Sequence, residues 1–202
     1  MLYLQHTITL GIFSLLTWGC GNSDKQKGEA EQAPLADKVW YSNPVIDSDN
    51  PDPTVIKAED GYFYLYATGG NTWIHKSKDL VHWTYVGGAY EDDKKPSWEP
   101  EAGIWAPDIN YINGKYVMYY SLSKWGGGAT CGIGVSVSDK PEGPFTDYFG
   151  KAMSDTTDIF PILTAPYCFN NHVGWAGTAH CGVTTDEKGK YFMFHQGRLS
   201  PD

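Results

Sequence analysis

Three side chains that could do chemistry, Asp52, Asp108 and His180, each precede an aromatic-rich pair of segments joined by a glycine-containing turn. Asp52 lies between Pro51 and Pro53. Because proline disfavours helical neighbours, this carboxylate is expected on extended backbone at the head of a strand. A carboxylate is a proton acceptor, so Asp52 could act as a base. The alternative is a turn-forming role for Asp52.

The segments behind these side chains repeat a strand-turn-strand pattern. The three turns are Glu59-Asp60-Gly61, Asn113-Gly114 and Glu187-Lys188-Gly189, and an aromatic segment follows each of them. More polar hairpins, at Asn71–Thr84 and Ile133–Thr146, follow the first two units. Paired inner and outer hairpins predict the blades of an all-β propeller rather than a sandwich.

The composition fits a turn-rich all-β protein. The chain has 202 residues, a formal net charge of -9, 15% aromatic residues, 23 glycines and 12 prolines. The acidic balance and the lack of a Lys/Arg run argue against a nucleic-acid partner. The 14 tyrosines and eight tryptophans suit either stacking on sugar rings or packing between strands.

The N-terminal sequence predicts export. Ile8–Trp18 is apolar but shorter than the roughly 20 residues of a membrane span. It ends in Gly19-Cys20, so residues 1–20 are predicted to be a signal peptide of the lipoprotein type, with Cys20 as the lipidated residue. The bulky Trp18 and the absence of Lys or Arg before the apolar run depart from that type. Ordinary secretion without a lipid anchor is therefore the alternative.

The rest of the chain divides into a linker and one folded domain. Residues 21–37 are polar and free of aromatic residues, as expected of a flexible tether, and residues 38–202 are predicted to fold. The domain contains Cys131, Cys168 and Cys181, which allow at most one disulfide. Their spacing matches no zinc motif, so we expect mainly buried, apolar thiols.

The spacing of the repeats predicts about three blades. The interval from Asp52 to Asp108 suits one blade, whereas the interval from Asp108 to His180 is longer than one blade and shorter than two. A closed propeller needs about 4 to 8 blades. We therefore expect an internally shortened or fragmentary propeller whose open blade edges favour self-association.

Three motifs together resemble glycoside hydrolase family 43, and within it the arabinan endo-1,5-α-L-arabinosidases. The motifs are Asn50–Thr54, Trp105–Ile109 and Gly174–Cys181. Members of that family are five-bladed propellers with a funnel on the axis, and they invert the anomeric carbon with carboxyl groups from different blades. The resemblance implies hydrolysis of arabinan or a related plant polysaccharide or oligosaccharide.

The resemblance also assigns roles by position. Asp52 matches the general base that activates water, and Asp108 matches a residue of the substrate pocket, where Trp105 and Trp175 are also expected to bind sugar. His180 matches a histidine that helps to hold an ion on the axis, commonly calcium with waters. From the residues alone, Asp108 could instead accept hydrogen bonds from the backbone N–H groups of a loop. His180 could be a buried, hydrogen-bonded histidine.

The proton donor of the family is not identifiable. Its third-blade Asp-Pro motif and its fourth-blade Glu before Gly-Pro or Ala-Pro are not clearly present where second-blade sequence is predicted to meet last-blade sequence, between Ser138 and Asp155. Glu142 precedes a Gly-Pro pair but lies in a predicted outer turn, where a solvated charge is expected. Glu99 and Glu101 are substitutes to test. Loss of the acid lowers the rate by roughly 10²–10⁴.

Two functions follow from these residues. The first is an exported inverting hydrolase of α-1,5-linked arabinan, with activity weakened or lost through missing blades. The second is a non-catalytic glycan-binding remnant in which tryptophans stack on sugar rings; these are Trp98, Trp105, Trp125 and Trp175. A β-fructosidase-like or sialidase-like propeller is disfavoured because their nucleophile motifs are absent, and no feature indicates a nucleotide cofactor.

Overall fold

The computed structural model describes residues 40–96, 103–123, 131–155, 163–164 and 175–199. These residues form ten β-strands and one 3-10 turn at Met153–Asp155. No helix among them is long and apolar enough to cross a membrane. The predicted signal peptide, with Cys20, and the predicted linker lie outside the described residues.

The first blade is a four-stranded antiparallel sheet in which strand order follows chain order. Its strands are β1 (Thr54–Lys57), β2 (Phe63–Ala67), β3 (Trp73–Ser77) and β4 (Trp83–Gly88). Gly61 closes the β1–β2 turn at φ 84°, a left-handed conformation that glycine adopts without a Cβ clash. Both hairpins predicted for this blade are confirmed.

The second blade repeats this order but has a broken outer edge. Its strands are β5 (Gly103–Ile112), β6 (Lys115–Ser123), β7 (Gly132–Ser138) and β8 (Leu163–Thr164). The predicted outer strand at Thr146 is reduced to a single bridge with Val137, and the two-residue β8 pairs with the other end of β7. The outer hairpin was therefore predicted correctly only at its first strand.

A two-stranded antiparallel sheet forms the beginning of a third blade. It consists of β9 (Trp175–Thr185) and β10 (Tyr191–Leu199), which is the third hairpin predicted from the sequence. The described residues thus hold two four-stranded blades and one further hairpin. This all-β architecture agrees with the predicted partial β-propeller of about three blades' worth of sequence.

The main core lies between the first two blades. Tyr64, Tyr66 and Tyr120 are each at most 1% exposed, and burial of a large side chain contributes about 1.5–3 kcal/mol. Buried tyrosine hydroxyls need partners, and the Tyr66 hydroxyl donates to the carbonyl of Pro141 at 2.5 Å. Met153 is buried in the same core.

The position of Met153 corrects the predicted junction between blades. Residues 150–155 resembled the last blade in sequence, but Met153 packs with the first two blades, and β8 still pairs with β7. The edge strand of the second blade therefore lies at Leu163–Thr164. The junction predicted between Ser138 and Asp155 is wrong because the edge strand of the second blade arrives after a long connection.

Two of the three cysteines predicted to be buried thiols are confirmed as such. Cys131 and Cys181 are free and buried, at 7% and 5% exposure. Burial, assisted by the nearby Asp108 carboxylate, raises the pKa of the Cys181 thiol to about 12. Cys168 lies outside the described residues.

Candidate functional site

The first strand of each sheet (β1, β5 and β9) is called its inner strand. In each inner strand, or just before it, one non-glycine residue has a positive φ. These residues are Asp52 (φ 51°), Ala106 (φ 45°) and His180 (φ 44°). Positive φ is uncommon outside glycine and marks a special local geometry. Each residue stands two positions before a strand pair that includes an aromatic residue; the pairs are Thr54 with Tyr66, Asp108 with Tyr119 and Gly182 with Phe194.

This repeat changes the alignment of the predicted site residues. Asp52 and His180 do occupy equivalent places, but their counterpart in the second blade is Ala106. The sequence-based equivalence of Asp108 with Asp52 is wrong by two residues, because the Ala-Pro pair that precedes Asp108 takes the place of Asp52-Pro53. Asp108 is instead the counterpart of Thr54.

Bulges in β5 and β9 explain where the backbone donors of Ala106 and His180 are directed. The β5–β6 ladder shifts between Trp105 and Asp108, and the β9–β10 ladder shifts opposite His180. A bulge leaves the extra residue unpaired within its own sheet. The freed N–H groups bond to the preceding blade: Ala106 N–H donates to Thr68 Oγ1 and His180 N–H donates to Ser121 Oγ, each at 2.7 Å.

Asp52 is held through one carboxylate oxygen. Its side chain is half-buried, and Oδ2 accepts a hydrogen bond from the Thr68 hydroxyl at 2.8 Å. No described residue is hydrogen-bonded to Oδ1 or uses the side chain to cap a turn. The backbone prediction was wrong, because Asp52 is not extended but stands at a bend with φ 51°, as the turn-forming alternative requires. Its role as a base stays a prediction.

Trp105 and His180 lie together at the same end of the inner strands. Their rings meet edge to face, with centroids 6.4 Å apart and an interplanar angle of 90°. Trp105 is half-buried against Cys131 and Ala179, and its indole N–H donates to Ser123 Oγ at 3.1 Å. His180 is exposed, so the alternative of a buried histidine is wrong. The neighbouring Ala106 connects this pair to Thr68 and Asp52.

Asp108 faces the third blade. Its Oδ2 accepts hydrogen bonds from Asn110 Nδ2 at 2.8 Å and from the Val183 N–H at 2.9 Å. Burial raises the pKa of Asp108, and the two hydrogen bonds oppose only part of that shift. This geometry agrees with the alternative in which the Asp108 carboxylate accepts a backbone hydrogen bond. A contact between Asp108 and substrate stays a prediction.

The donors around His180 do not by themselves fit calcium. Calcium takes about 6 to 8 oxygen ligands, whereas His180 offers a nitrogen and packs against the Trp105 indole. No group of three or more His, Cys, Asp or Glu side chains is arranged for a metal ion in the part of the chain that is described. A calcium site at His180 stays a prediction, and no step of the chemistry below depends on it.

Glu142 lies at the wrong end of the blades to assist Asp52. Its Oε1 accepts hydrogen bonds from the Tyr64 hydroxyl at 2.6 Å and from Lys76 Nζ at 3.1 Å. Lys76 also pairs with Asp60 in the β1–β2 turn, at the end of β1 opposite Asp52. Although partial burial opposes the shift, these hydrogen bonds lower the pKa of Glu142. A general acid needs a raised pKa.

Several predicted site residues cannot be placed. The side chain of Trp175 lies outside the described residues, although its backbone pairs with Leu199 in the β9–β10 sheet. The other predicted residues outside the described ranges are Trp98, Glu99, Glu101 and Trp125.

Sequence reasoning missed the two hydroxyl residues of the site. Thr68 and Ser121 each lie two positions after an aromatic residue of the second strand, Tyr66 and Tyr119. Aligning the aromatic strands, rather than the polar residues before them, would have shown this repeat. The contact with Asp52 itself had no sequence signal, because it joins residues 16 positions apart through the fold.

Comparison with known proteins gives consistent matches. The sequence model described as glycosyl hydrolases family 43 matches residues 41–165. A probable arabinan endo-1,5-alpha-L-arabinosidase C from Aspergillus clavatus is 35% identical over 128 residues, which are 60% of this chain and 40% of that protein. An extracellular endo-alpha-(1->5)-L-arabinanase from Thermotoga petrophila is 35% identical over 112 residues, covering 48% of this chain and 23% of that protein.

A solved structure agrees with these matches. The alpha-L-arabinanase of Cellvibrio cellulosa has a TM-score of 0.55 and 26% identity, over 73% of this chain and 45% of that chain. The chain thus spans less than half the length of these relatives. The matched residues include Asp52, the Trp105 motif and every strand of the first two blades. The chain therefore belongs to glycosyl hydrolases family 43.

Proposed function

We propose that this chain hydrolyses α-1,5-linked arabinan with inversion at the anomeric carbon and that Asp52 is the general base. The observation that carries the proposal is the geometry of Asp52, which stands just before β1 with Oδ2 bonded to the Thr68 hydroxyl and with no hydrogen bond to Oδ1 from any described residue. The arabinanase names of the relatives support arabinan as the substrate. Trp105, exposed in part beside His180, would contribute a sugar-stacking surface.

The chemistry assigned to Asp52 is removal of a proton from water. Oδ1 accepts the proton as the water oxygen attacks the anomeric carbon, and the bond from that carbon to the glycosidic oxygen breaks on the opposite face. The leaving oxygen must gain a proton from an acid roughly 6.5–9.5 Å from the base. No described residue is assigned that role, so the proposal concerns the base half of the pair.

Reducing-sugar release from debranched arabinan tests the function. We expect release by the full chain and a loss of roughly 10²–10⁴-fold in Asp52→Asn, which removes the base but keeps the side-chain size. NMR of the first product would show the inverted anomer. Equal release by both proteins would contradict the proposal. Retention on an arabinan affinity gel without any release would identify the glycan-binding alternative instead.

The N-terminal sequence and one relative support export. The relative from Thermotoga petrophila is named extracellular, and Gly19-Cys20 follows the short apolar run Ile8–Trp18. We propose a lipid anchor on Cys20, through which alone the protein would contact a membrane. Labelled palmitate should be incorporated by cells expressing the full chain and not by cells expressing Cys20→Ser; labelling of both or of neither would contradict the anchor.

The open edge of β10 supports self-association. Among the described strands, β10 pairs with β9 alone. Unpaired edges are templates for pairing with another chain. We propose that a second copy covers this edge.

A further inference from the structure

We propose that Thr68 is a positioning residue for Asp52, whose hydroxyl fixes Oδ2 so that Oδ1 is the oxygen that meets water. The inference rests on the proposed function, in which Asp52 is the general base. It assigns a role to the residue that directly follows the second strand, β2, and that contributes no group to the reacting atoms.

The direction of the hydrogen bonds follows from the donors available. The Ala106 N–H can only donate, so Thr68 Oγ1 accepts at 2.7 Å. The single hydroxyl proton of Thr68 then points to Asp52 Oδ2 at 2.8 Å. Both distances are normal, and a bond to an ionised carboxylate is among the stronger ones.

The backbone of Thr68 holds the same segment a second time. Its N–H donates to the Pro51 carbonyl at 2.9 Å, immediately before Asp52. Asp52 adopts φ 51°, a conformation that is unfavourable for a non-glycine residue and persists only where neighbours enforce it. Thr68 therefore constrains both the strained backbone and the carboxylate of Asp52.

The next blade provides an internal comparison. Ser121 is the counterpart of Thr68 and accepts from the His180 N–H at 2.7 Å. The left-handed residue of its own blade is Ala106, which has no side-chain acceptor. A hydroxyl that joins adjacent blades is thus repeated, whereas its bond to a carboxylate occurs in the first blade. Because the Ser121 hydroxyl joins two blades without a carboxylate, the Thr68–Asp52 contact is not needed for joining blades. This indicates a separate role for that contact.

Kinetics of five variants of the full chain test the role. The probe is 4-nitrophenyl α-L-arabinofuranoside, because its leaving group departs without protonation and isolates the base. Thr68→Val keeps the shape but removes the hydroxyl, and we expect kcat to fall roughly 10- to 100-fold, the scale of a misplaced catalytic group, with KM changed less than about threefold. Thr68→Ser should retain at least about a third of the activity.

A matched control and a double variant separate positioning from folding. Thr54 Oγ1 accepts from the Ile109 N–H at the same blade junction, at 3.5 Å, without touching Asp52. Thr54→Val should therefore keep kcat within about twofold. In an Asp52→Asn background, Thr68→Val should cause no further loss, because residues that act as one unit are not additive. Failure of Ser to rescue, or an equal loss in both backgrounds, would overturn the proposal.

A measurement independent of activity completes the test. At pH 7, Thr68→Val should shift the ¹³Cγ resonance of Asp52, and Thr54→Val should leave it in place; an unmoved resonance in Thr68→Val overturns the proposal. If the wild-type chain and Asp52→Asn release nitrophenol equally, the hydrolase function fails. The resonance then decides by itself whether Thr68 holds the carboxylate.

Discussion

At Asp52, the hydrogen bond that the described residues make to the carboxylate goes to one oxygen, Oδ2, from the Thr68 hydroxyl. The flanking prolines predicted extended backbone at Asp52, and this was wrong, because Asp52 has a left-handed φ of 51° at a bend. Nothing in the sequence indicated its contact with Thr68. The proposed chemistry therefore involves Thr68, directly after β2, as well as the motif that contains Asp52.

Cys181 offers a test of burial at the scale of one side chain. Its pKa of about 12 leaves roughly one thiolate in 10⁴ at pH 8, and the thiolate is the reactive form. We expect iodoacetamide at pH 8 to leave Cys181 unmodified in the native chain and to modify it in denaturant, as measured by peptide mass spectrometry. Rapid native modification would contradict the buried environment.

The site residues were predictable to different degrees. Asp52 and His180 were found from their place before a repeated hairpin, and the structure confirms that place for both. Asp108 was aligned incorrectly because Pro107-Asp108 repeats the letters of Pro51-Asp52, whereas the structure places Ala106-Pro107 where Asp52-Pro53 stands. Thr68 was missed because its two partners come from different parts of the chain.

At the scale of elements, Asp108 links β5 to β9 through the Val183 N–H. Burial raises the pKa of this carboxyl above its ordinary value, so folding favours the protonated form. The resulting stability is fully present below the unfolded-state pKa of about 3.9 and is lost as pH rises through the folded-state value.

Thermal melts between pH 3.5 and 7 check this linkage. As pH rises, the Tm of the wild-type chain should fall relative to that of Asp108→Asn, which cannot ionise. The exposed Asp49 provides the control, since Asp49→Asn should track the wild type. A constant difference between wild type and Asp108→Asn across this range would contradict the assignment.

The contact between β6 and β7 leaves no room for a side chain at Gly134. A Cβ there would collide with the ring of Tyr120, which is 1% exposed. Gly134→Ala should destabilise the chain by about 1–3 kcal/mol through overpacking, a fall in Tm of roughly 3–10 °C. Gly103→Ala, where the Cβ meets nothing within 4 Å, is the matched control. Equal melting of the two variants would refute the collision.

Strands that are marked by a turn motif in their own sequence were predictable. Strands whose position depends on pairing with a distant part of the chain were not. The inner hairpins follow from turns such as Asn113-Gly114, where both residues adopt positive φ. The outer edge of the second blade did not follow, because β8 is two residues long and pairs with β7 after a long connection. Its position is fixed by the sheet rather than by its own sequence.

On the scale of the whole molecule, the third blade presents apolar side chains along β10. Phe192 and Phe194 alternate onto one face of the strand and are 40% and 66% exposed. Exposed, unpaired strands with apolar side chains favour association. This face supports the proposed contact with a second copy.

Light scattering after size exclusion, over a range of protein concentrations, tests the association. Replacing both Phe192 and Phe194 by Lys should shift the chain toward monomer, because like charges on an edge oppose strand pairing. The matched control replaces Tyr148 and Phe149, which are 76% and 84% exposed in a turn of the second blade. A monomeric wild type, or equal dissociation by the control, would rule out the proposed interface.

The hydroxyl contacts between blades also make two backbone amides into reporters of domain opening. Hydrogen exchange at Ala106 requires loss of the Thr68 contact, and exchange at His180 requires loss of the Ser121 contact. The exchange rate of each amide therefore measures how often two neighbouring blades separate, even while the sheets themselves remain intact. Slow exchange at Ala106 with faster exchange at His180 would show that the first two blades form the persistent unit to which the third is attached.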